Sequence, residues 1–250
     1  MKCRTVQSLI RALWVLLFGA VGLALAGEGA PAHARQDVDM ELVLAVDCSY
    51  SVDATEFRLQ REGLAHALRQ PDVARLIGEG AVGAIAVSVI QWSKQDVQIM
   101  AIPWERLSTA GEVRALADRI EVMPRLASDG GTSLAGAIRF SLAAFRSSGF
   151  QSFRKVIDIS SDGRDNSGLS PDEARDLAVA AGVTINGLTI LNEVPTLDHY
   201  FRDHVIGGPG AFVEVASSYD DFDDAVQRKL IREIRPRLIS GTPPTSSDLE

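Results

Sequence analysis

The chain has 250 residues, 46% of them apolar and 23% charged, with 33 acidic against 25 basic side chains and a net charge of −8. That composition is enough to fill one core. The acidic balance argues against binding a phosphate backbone, which relies on clustered Lys and Arg, and is compatible with a bound cation or a basic partner.

Lys2, Arg4 and Arg11 precede a largely apolar stretch, residues 12–26, and Ala32-His33-Ala34 offers a small-x-small cleavage site before Arg35. This is the pattern of a secretory signal peptide over 1–34; the apolar run is short for an uncleaved anchor. No later segment is apolar over the length of a span, so an exported protein without stable membrane insertion is expected, periplasmic or extracellular. Lys2, Arg4, Arg11 and Glu28 leave with the signal, taking the basic and acidic counts to 22 and 32 and the net charge to −10. Cys3 leaves too, so Cys48 stands alone and no internal disulfide is expected. The remaining 216 residues suit one domain, expected over 35–237, with a disordered Pro/Ser/Thr-rich tail over 238–250.

Leu42 to Val46 reads as a buried strand, and Asp53-Ala54-Thr55-Glu56 as a capping box that opens a helix. Phe57, Leu64 and Leu68 recur at helical spacing, and Pro71 marks the exit. Val82 to Gln91 is a long strand rich in branched residues, residues 92–96 form a turn, and Val97 to Ile102 returns as a short strand. That gap is too short for a crossover helix, so the pair is antiparallel. Glu112 to Val122 is a helix stopped at Pro124. Asp129-Gly130-Gly131 is a turn from which Thr132 opens the next helix, with Leu134, Ile138, Leu142 and Phe145 as its apolar face. Lys155 to Ser160 is a strand ending at Ser161-Asp162-Gly163. Ser170-Pro171-Asp172-Glu173 opens a helix that Gly182 closes. Val183 to Ile190 and Phe212 to Ala216 are strands, and Phe222, Val226, Leu230 and Ile234 line a last helix. The alternation predicts an α/β fold: a doubly wound, mostly parallel sheet with one antiparallel edge strand and helices on both faces.

Three loops then supply oxygen ligands at the carboxyl edge of that sheet, where such folds form their ligand crevice. The first carries Asp47, Ser49 and Ser51, whose alternation turns three oxygen-bearing side chains one way in an extended segment. The second carries Thr132 behind a glycine pair, and the third carries Asp162. Converging hard oxygen donors suit a hard divalent cation. Taken alone, Asp-x-Ser-x-Ser also reads as a helix cap, with Asp47 and Ser51 serving only the next helix.

With Asp47-x-Ser49-x-Ser51, Gly130-Gly131-Thr132-Ser133-Leu134 and Ser161-Asp162-Gly163 in order, the chain resembles the von Willebrand factor A domain, and these five residues match its metal-ion-dependent adhesion site. The resemblance covers the whole mature domain and lies nearest to a group of secreted bacterial proteins of unassigned function. It implies that Ser49 and Ser51 ligate Mg²⁺, or Mn²⁺ or Ca²⁺, directly. Thr132 would ligate directly or through water, and Asp47 and Asp162 would act mainly through bound water. A partner protein's Asp or Glu carboxylate would complete the coordination, with no bond made or broken. Two departures stand beside the motif. Tyr50 replaces the glycine common in such domains and places a phenol on the rim, and Cys48 adds a thiol, read here as facing the core.

Other residues carry weaker signals. Asp165 and Asn166 read as a polar turn, and Asp158, inside a strand, requires a partner or a marginal position. His66, His199 and His204 lack metal or catalytic spacing, Trp92 and Trp104 read as packing anchors, and Gly207-Gly208-Pro209-Gly210 precedes a strand rather than a helix, so it is no phosphate cradle. Two other classes compete. A Mg-dependent hydrolase or phosphotransferase would use Asp47 as nucleophile, but Ser49 stands where such enzymes place a second Asp and no lysine is well placed for the phosphate. No Gly-x-Ser-x-Gly elbow of a serine hydrolase occurs. The third class is a structural scaffold without metal.

Overall fold

A computed structural model describes residues 35–128 and 130–235. The expected signal peptide, residues 236–237 at the end of the expected domain, the expected tail and Asp129 of the expected turn lie outside the described residues. After a two-residue strand β1 (Gln36–Asp37), strand β2 (Met40–Asp47) is buried throughout. Its alternation sends Leu42, Leu44 and Val46 into the apolar core on one face of the sheet and Val43 and Ala45 into that on the other. Burial on both faces is why the segment reads as a continuous apolar run.

The main sheet has six strands in the order β4-β3-β2-β6-β7-β8. They are β3 (Ile85–Trp92), β4 (Gln98–Leu107), β6 (Lys155–Ser161), β7 (Val183–Ile190) and β8 (Val213–Ala216) around β2. All neighbours are parallel except β3 and β4. Strand β5 (Phe150–Gln151) pairs separately with β1. One face is covered by α1 (Ala54–Arg69), α2 (Pro71–Gly78), α3 (Ala110–Glu121) and α7 (Phe222–Ile234). The other is covered by α4 (Leu134–Ala144), α5 (Pro171–Ala180) and α6 (Leu197–Tyr200), which runs on into a wider turn over Phe201–Val205. The doubly wound α/β arrangement is therefore present, with the antiparallel edge strand in place.

Several boundaries move. Pro71 does not simply end the first helix; it is the first residue of α2, where its missing N–H and fixed φ suit a helix start. Strand β3 begins at Ile85, not Val82, because Asp39 accepts hydrogen bonds from the amides of Val82, Gly83 and Ala84 and holds them in a turn with Gly83 at φ +70°. Trp92 belongs to β3 and pairs with Gln98, so the turn is shorter and β4 runs on to Leu107, with Pro103 tolerated on an edge strand. The N-cap of α4 is Ser133, one residue beyond Thr132. Ser170 stands at the N-cap of α5 as the sequence suggests, but its hydroxyl bonds the Asp172 carboxylate instead of a helix amide. Strands β1 and β5 and helix α6 carried no pattern long enough to read.

Packing bears out the anchors. Trp92 is fully buried, and the Trp104 indole donates to the Ala144 carbonyl at 3.1 Å and packs 5.5 Å from the Phe145 ring. Asp158 is buried and answers its cost with a partner that sequence did not name: the fully buried Lys229 of α7. Lys229 also lies 2.8 Å from Glu233, which accepts a hydrogen bond from Asn186 at 2.8 Å. Burial first, then Asp158, pushes the Glu233 carboxyl up to about 8. Burial alone would depress the Lys229 ammonium, but Asp158 and Glu233 more than offset it and hold it above the ordinary lysine value. Among the described residues, no helix is long and apolar enough to cross a membrane.

Candidate metal centre

Asp47 is the last residue of β2, and the chain turns immediately after it. The turn is held from three sides. The Tyr50 amide donates to the Gly130 carbonyl at 2.8 Å, joining the first loop to the second. The Arg125 guanidinium donates to the carbonyls of Cys48, Ser49 and Val52. The Gln60 amide group reaches the Asp47 carbonyl at 3.1 Å. Asp53 then opens α1 with the full capping box, accepting from the Thr55 and Glu56 amides while Glu56 accepts from its own. Asp53, and not Asp47 or Ser51, therefore does the capping, which leaves the Asp-x-Ser-x-Ser side chains for another task.

Four of the five expected residues are almost fully enclosed: Asp47, Ser49 and Asp162 are inaccessible and Thr132 is 4% exposed, while Ser51 is half-buried at the mouth. The Ser51 hydroxyl donates to Asp162 Oδ1 at 2.6 Å, and the Ser49 and Ser51 hydroxyl oxygens are 3.2 Å apart. The Ser49 amide donates to Asp47 Oδ1 at 2.7 Å. Thr132 reaches the same place: a Cβ on Gly163 would lie 3.4 Å from Thr132 Oγ1 and 3.9 Å from Ser51 Oγ, so glycine there leaves the space between them open. All five side chains thus meet at one edge of the sheet.

Among the described residues, the hydrogen-bond partners of both carboxylates are neutral. Asp47 Oδ2 accepts from the Ser161 hydroxyl at 2.6 Å, and Asp162 Oδ2 from the Tyr219 hydroxyl at 3.0 Å. Burial and then the repulsion of Asp162 push the Asp47 carboxyl up to about 7, against the pull of its hydrogen bonds. The Tyr219 hydroxyl is driven above its ordinary range by burial and by the same carboxylates. Two enclosed acids with neutral partners and three hydroxyl oxygens beside them make a donor set that fits a hard divalent cation, whose charge would remove the repulsion. No group of three or more His, Cys, Asp or Glu gathers among the described residues, so a site here depends on serine and threonine oxygens.

Sequence reasoning missed Ser161 and Tyr219, which hold the outer oxygens of the two acids, and Arg125, which fixes the first loop. It read Asn166 as a plain turn residue, yet Asn166 clamps Thr132: its side-chain oxygen accepts from the Thr132 amide at 2.8 Å and its own amide donates to the Thr132 carbonyl at 2.9 Å. Asp165 is half-buried and accepts from the Ala135 amide. Cys48 faces the core as expected, and Tyr50 stands 81% exposed on the rim. His66 and His204 form surface pairs with Asp223 and Asp172, and His199 is exposed beside Asp198.

Among solved structures the chain is similar to proximal thread matrix protein 1 from the mussel byssus (TM-score 0.60, 16% identity, 79% of this chain and 48% of that one). Another structure of that protein has a zinc-occupied metal-ion-dependent adhesion motif. It is also similar to a von Willebrand factor type A protein from Catenulispora acidiphila (TM-score 0.57, 16%, 79% and 43%) and to the pilus adhesin SpaC from Lactobacillus rhamnosus GG (0.56, 16%, 80% and 31%). The chain spans about half or less of each of these proteins. The fold is that of the von Willebrand factor A domain. No curated protein matches the chain. A family model does match, over residues 37–238, and the chain belongs to that family, described as protein of unknown function (DUF1194).

Proposed function

We propose that this is an exported, divalent-metal-dependent protein-binding domain of the adhesion type. Asp47, Ser49, Ser51, Thr132 and Asp162 would hold Mg²⁺, with Mn²⁺ or Ca²⁺ as alternatives, and an Asp or Glu carboxylate of a partner protein would complete the coordination. The observation that carries this reading is the pair of enclosed carboxylates whose partners among the described residues are all neutral, beside three hydroxyl oxygens that no described helix cap uses. The metal would supply fixed positive charge at the rim. The protein's part is to hold the oxygens: Ser161 and Tyr219 aim the two acids, Asn166 aims Thr132, and Arg125 prevents the first loop from opening. The exposed Tyr50 phenol offers a partner an aromatic contact beside the ion. No nucleophile needs activation here, because the role is binding.

A direct test is adhesion to a surface bearing glutamate peptides, compared with one bearing glutamine peptides. The protein is expected to bind the glutamate surface in Mg²⁺, to release in EDTA, and to lose binding at least tenfold on Asp162→Ala. Binding that persists in EDTA, or that does not distinguish the two surfaces, contradicts the reading.

A further inference from the structure

Beside the metal edge, a cavity of about 320 Å³ opens between the β3–β4 turn, the start of α4 and the loop over residues 165–169. Its lining joins Gln95 of the turn, Gln98 at the start of β4, Ser133 next to Thr132, Phe140 and Arg139 of α4, and Leu169 of the loop. It is a built feature. The Gln95 amide donates to the Ser167 hydroxyl at 3.3 Å, and the Ser133 amide to the Ser93 carbonyl at 2.8 Å, so turn, helix and loop are tied together. Gly168 adopts φ +103°, and a Cβ there would lie 2.8 Å from the Gln95 side chain, so the loop needs glycine to approach the turn.

The charge of this cavity is the informative point. Arg139 is exposed, lines it, and makes no hydrogen bond or ion pair among the described residues, on a chain whose net charge is −8. The attraction does not come from the helix terminus: Asp165 accepts from the Ala135 amide and the Ser133 hydroxyl from the Gly136 amide, so the first-turn donors are already used. The wall also offers the Gln95 carboxamide as a second polar group and Phe140 and Leu169 as an apolar side.

We infer that this cavity is a second anchor for the protein partner, taking an acidic side chain whose carboxylate meets Arg139 while its methylenes rest on Phe140 and Leu169. This rests on the proposed function for the first anchor, the carboxylate at the metal. Ser133 and Arg139 are six residues apart on one helix, roughly 9 Å along its axis. An extended peptide covers that distance in about three residues. The partner motif is therefore two acidic residues separated by about two others. A charge-assisted bond of this kind is worth about tenfold in affinity.

The test has two arms, and the first needs no metal. In EDTA, the side-chain Nε–H resonance of Arg139 and the amide of Gly136 are followed by NMR during titration with N-acetylglutamate N-methylamide, using the glutamine analogue as control. Both signals are expected to shift with the acid only, and the Gly136 shift to vanish in Arg139→Gln but persist in Arg114→Gln, whose arginine lines a different groove between α1, α2 and α3. No acid-specific shift in the parent overturns the second anchor whatever the metal does. The second arm compares, in Mg²⁺, a labelled Gly-Glu-Gly-Gly-Glu-Gly peptide with its Gly-Glu-Gly-Gly-Gln-Gly counterpart. The parent is expected to prefer the first about tenfold and Arg139→Gln to lose that preference. Equal affinity in the parent overturns the pairing of the two anchors; loss of all Mg²⁺ dependence, with the NMR shifts intact, overturns the metal reading instead.

Discussion

Lys229→Met is expected to remove about 3–5 kcal/mol of stability, the range for taking one partner out of a buried ion pair. Measured against the 5–15 kcal/mol of a whole domain, that is enough to leave a substantial unfolded fraction. The reason is charge balance. Asp158 and Glu233 are both buried, Asp158 Oδ2 and Glu233 Oε2 have no hydrogen-bond partner among the described residues, and the Lys229 ammonium lies between them. Methionine fills the volume but leaves two enclosed carboxyls without that cation. Glu233, already held up to about 8 by burial and Asp158 with the ammonium present, then loses its cation, so the deficit grows as pH rises and shrinks toward pH 5. Adding Asp158→Asn and Glu233→Gln to Lys229→Met is expected to recover part of the loss. Denaturant titration at pH 5 and 8 measures both effects, and a deficit below about 1 kcal/mol at pH 8 contradicts a compensating role for the ammonium.

The second large effect concerns Asp47. Its folded pKa of about 7 exceeds the ordinary value of 3.8, so its contribution to stability is present at low pH and is lost as pH rises from about 4 through 7. Over that window a shift of this size is worth about 4 kcal/mol, the carboxyl being fully enclosed. In EDTA the melting temperature is expected to fall on the order of 10 °C between pH 5 and pH 8. Mg²⁺ is expected to abolish most of that fall, because a cation beside Asp47 takes the place of the proton. Glu233 slopes the same way, so the informative quantity is the difference from Asp47→Asn, which is expected to flatten the profile and remove the response to Mg²⁺. An Asp47→Asn profile parallel to that of the parent contradicts the assignment.

The fold was legible where burial is two-sided or a cap is unambiguous. Residues 42–46 are apolar because helices cover both faces of that strand, and Asp53-x-x-Glu56 forms the box it spells. Legibility failed where a residue serves a distant segment. Asp39 holds the turn at Val82 across 43 residues of sequence, which no local pattern shows. In the candidate site the carboxylates and hydroxyls that carry the resemblance could be read, since their spacing is local within each loop. Tyr219, Ser161 and Asn166 could not, because they act only once the three loops meet. Lys229 was the sharpest omission: on a helix with apolar Val226 and Leu230 beside it, a lysine reads as solvated, and only the buried Asp158 facing it reverses that.

The central claim is that this constellation binds a divalent cation. Isothermal calorimetry of Mg²⁺ and Mn²⁺ binding to the purified protein, with Asp47→Ala and Ser49→Ala alongside, tests it most directly. The account predicts one ion per chain in the parent, with affinity rising as pH approaches 7, and binding lost in both variants. A folded parent that takes up neither ion would contradict it.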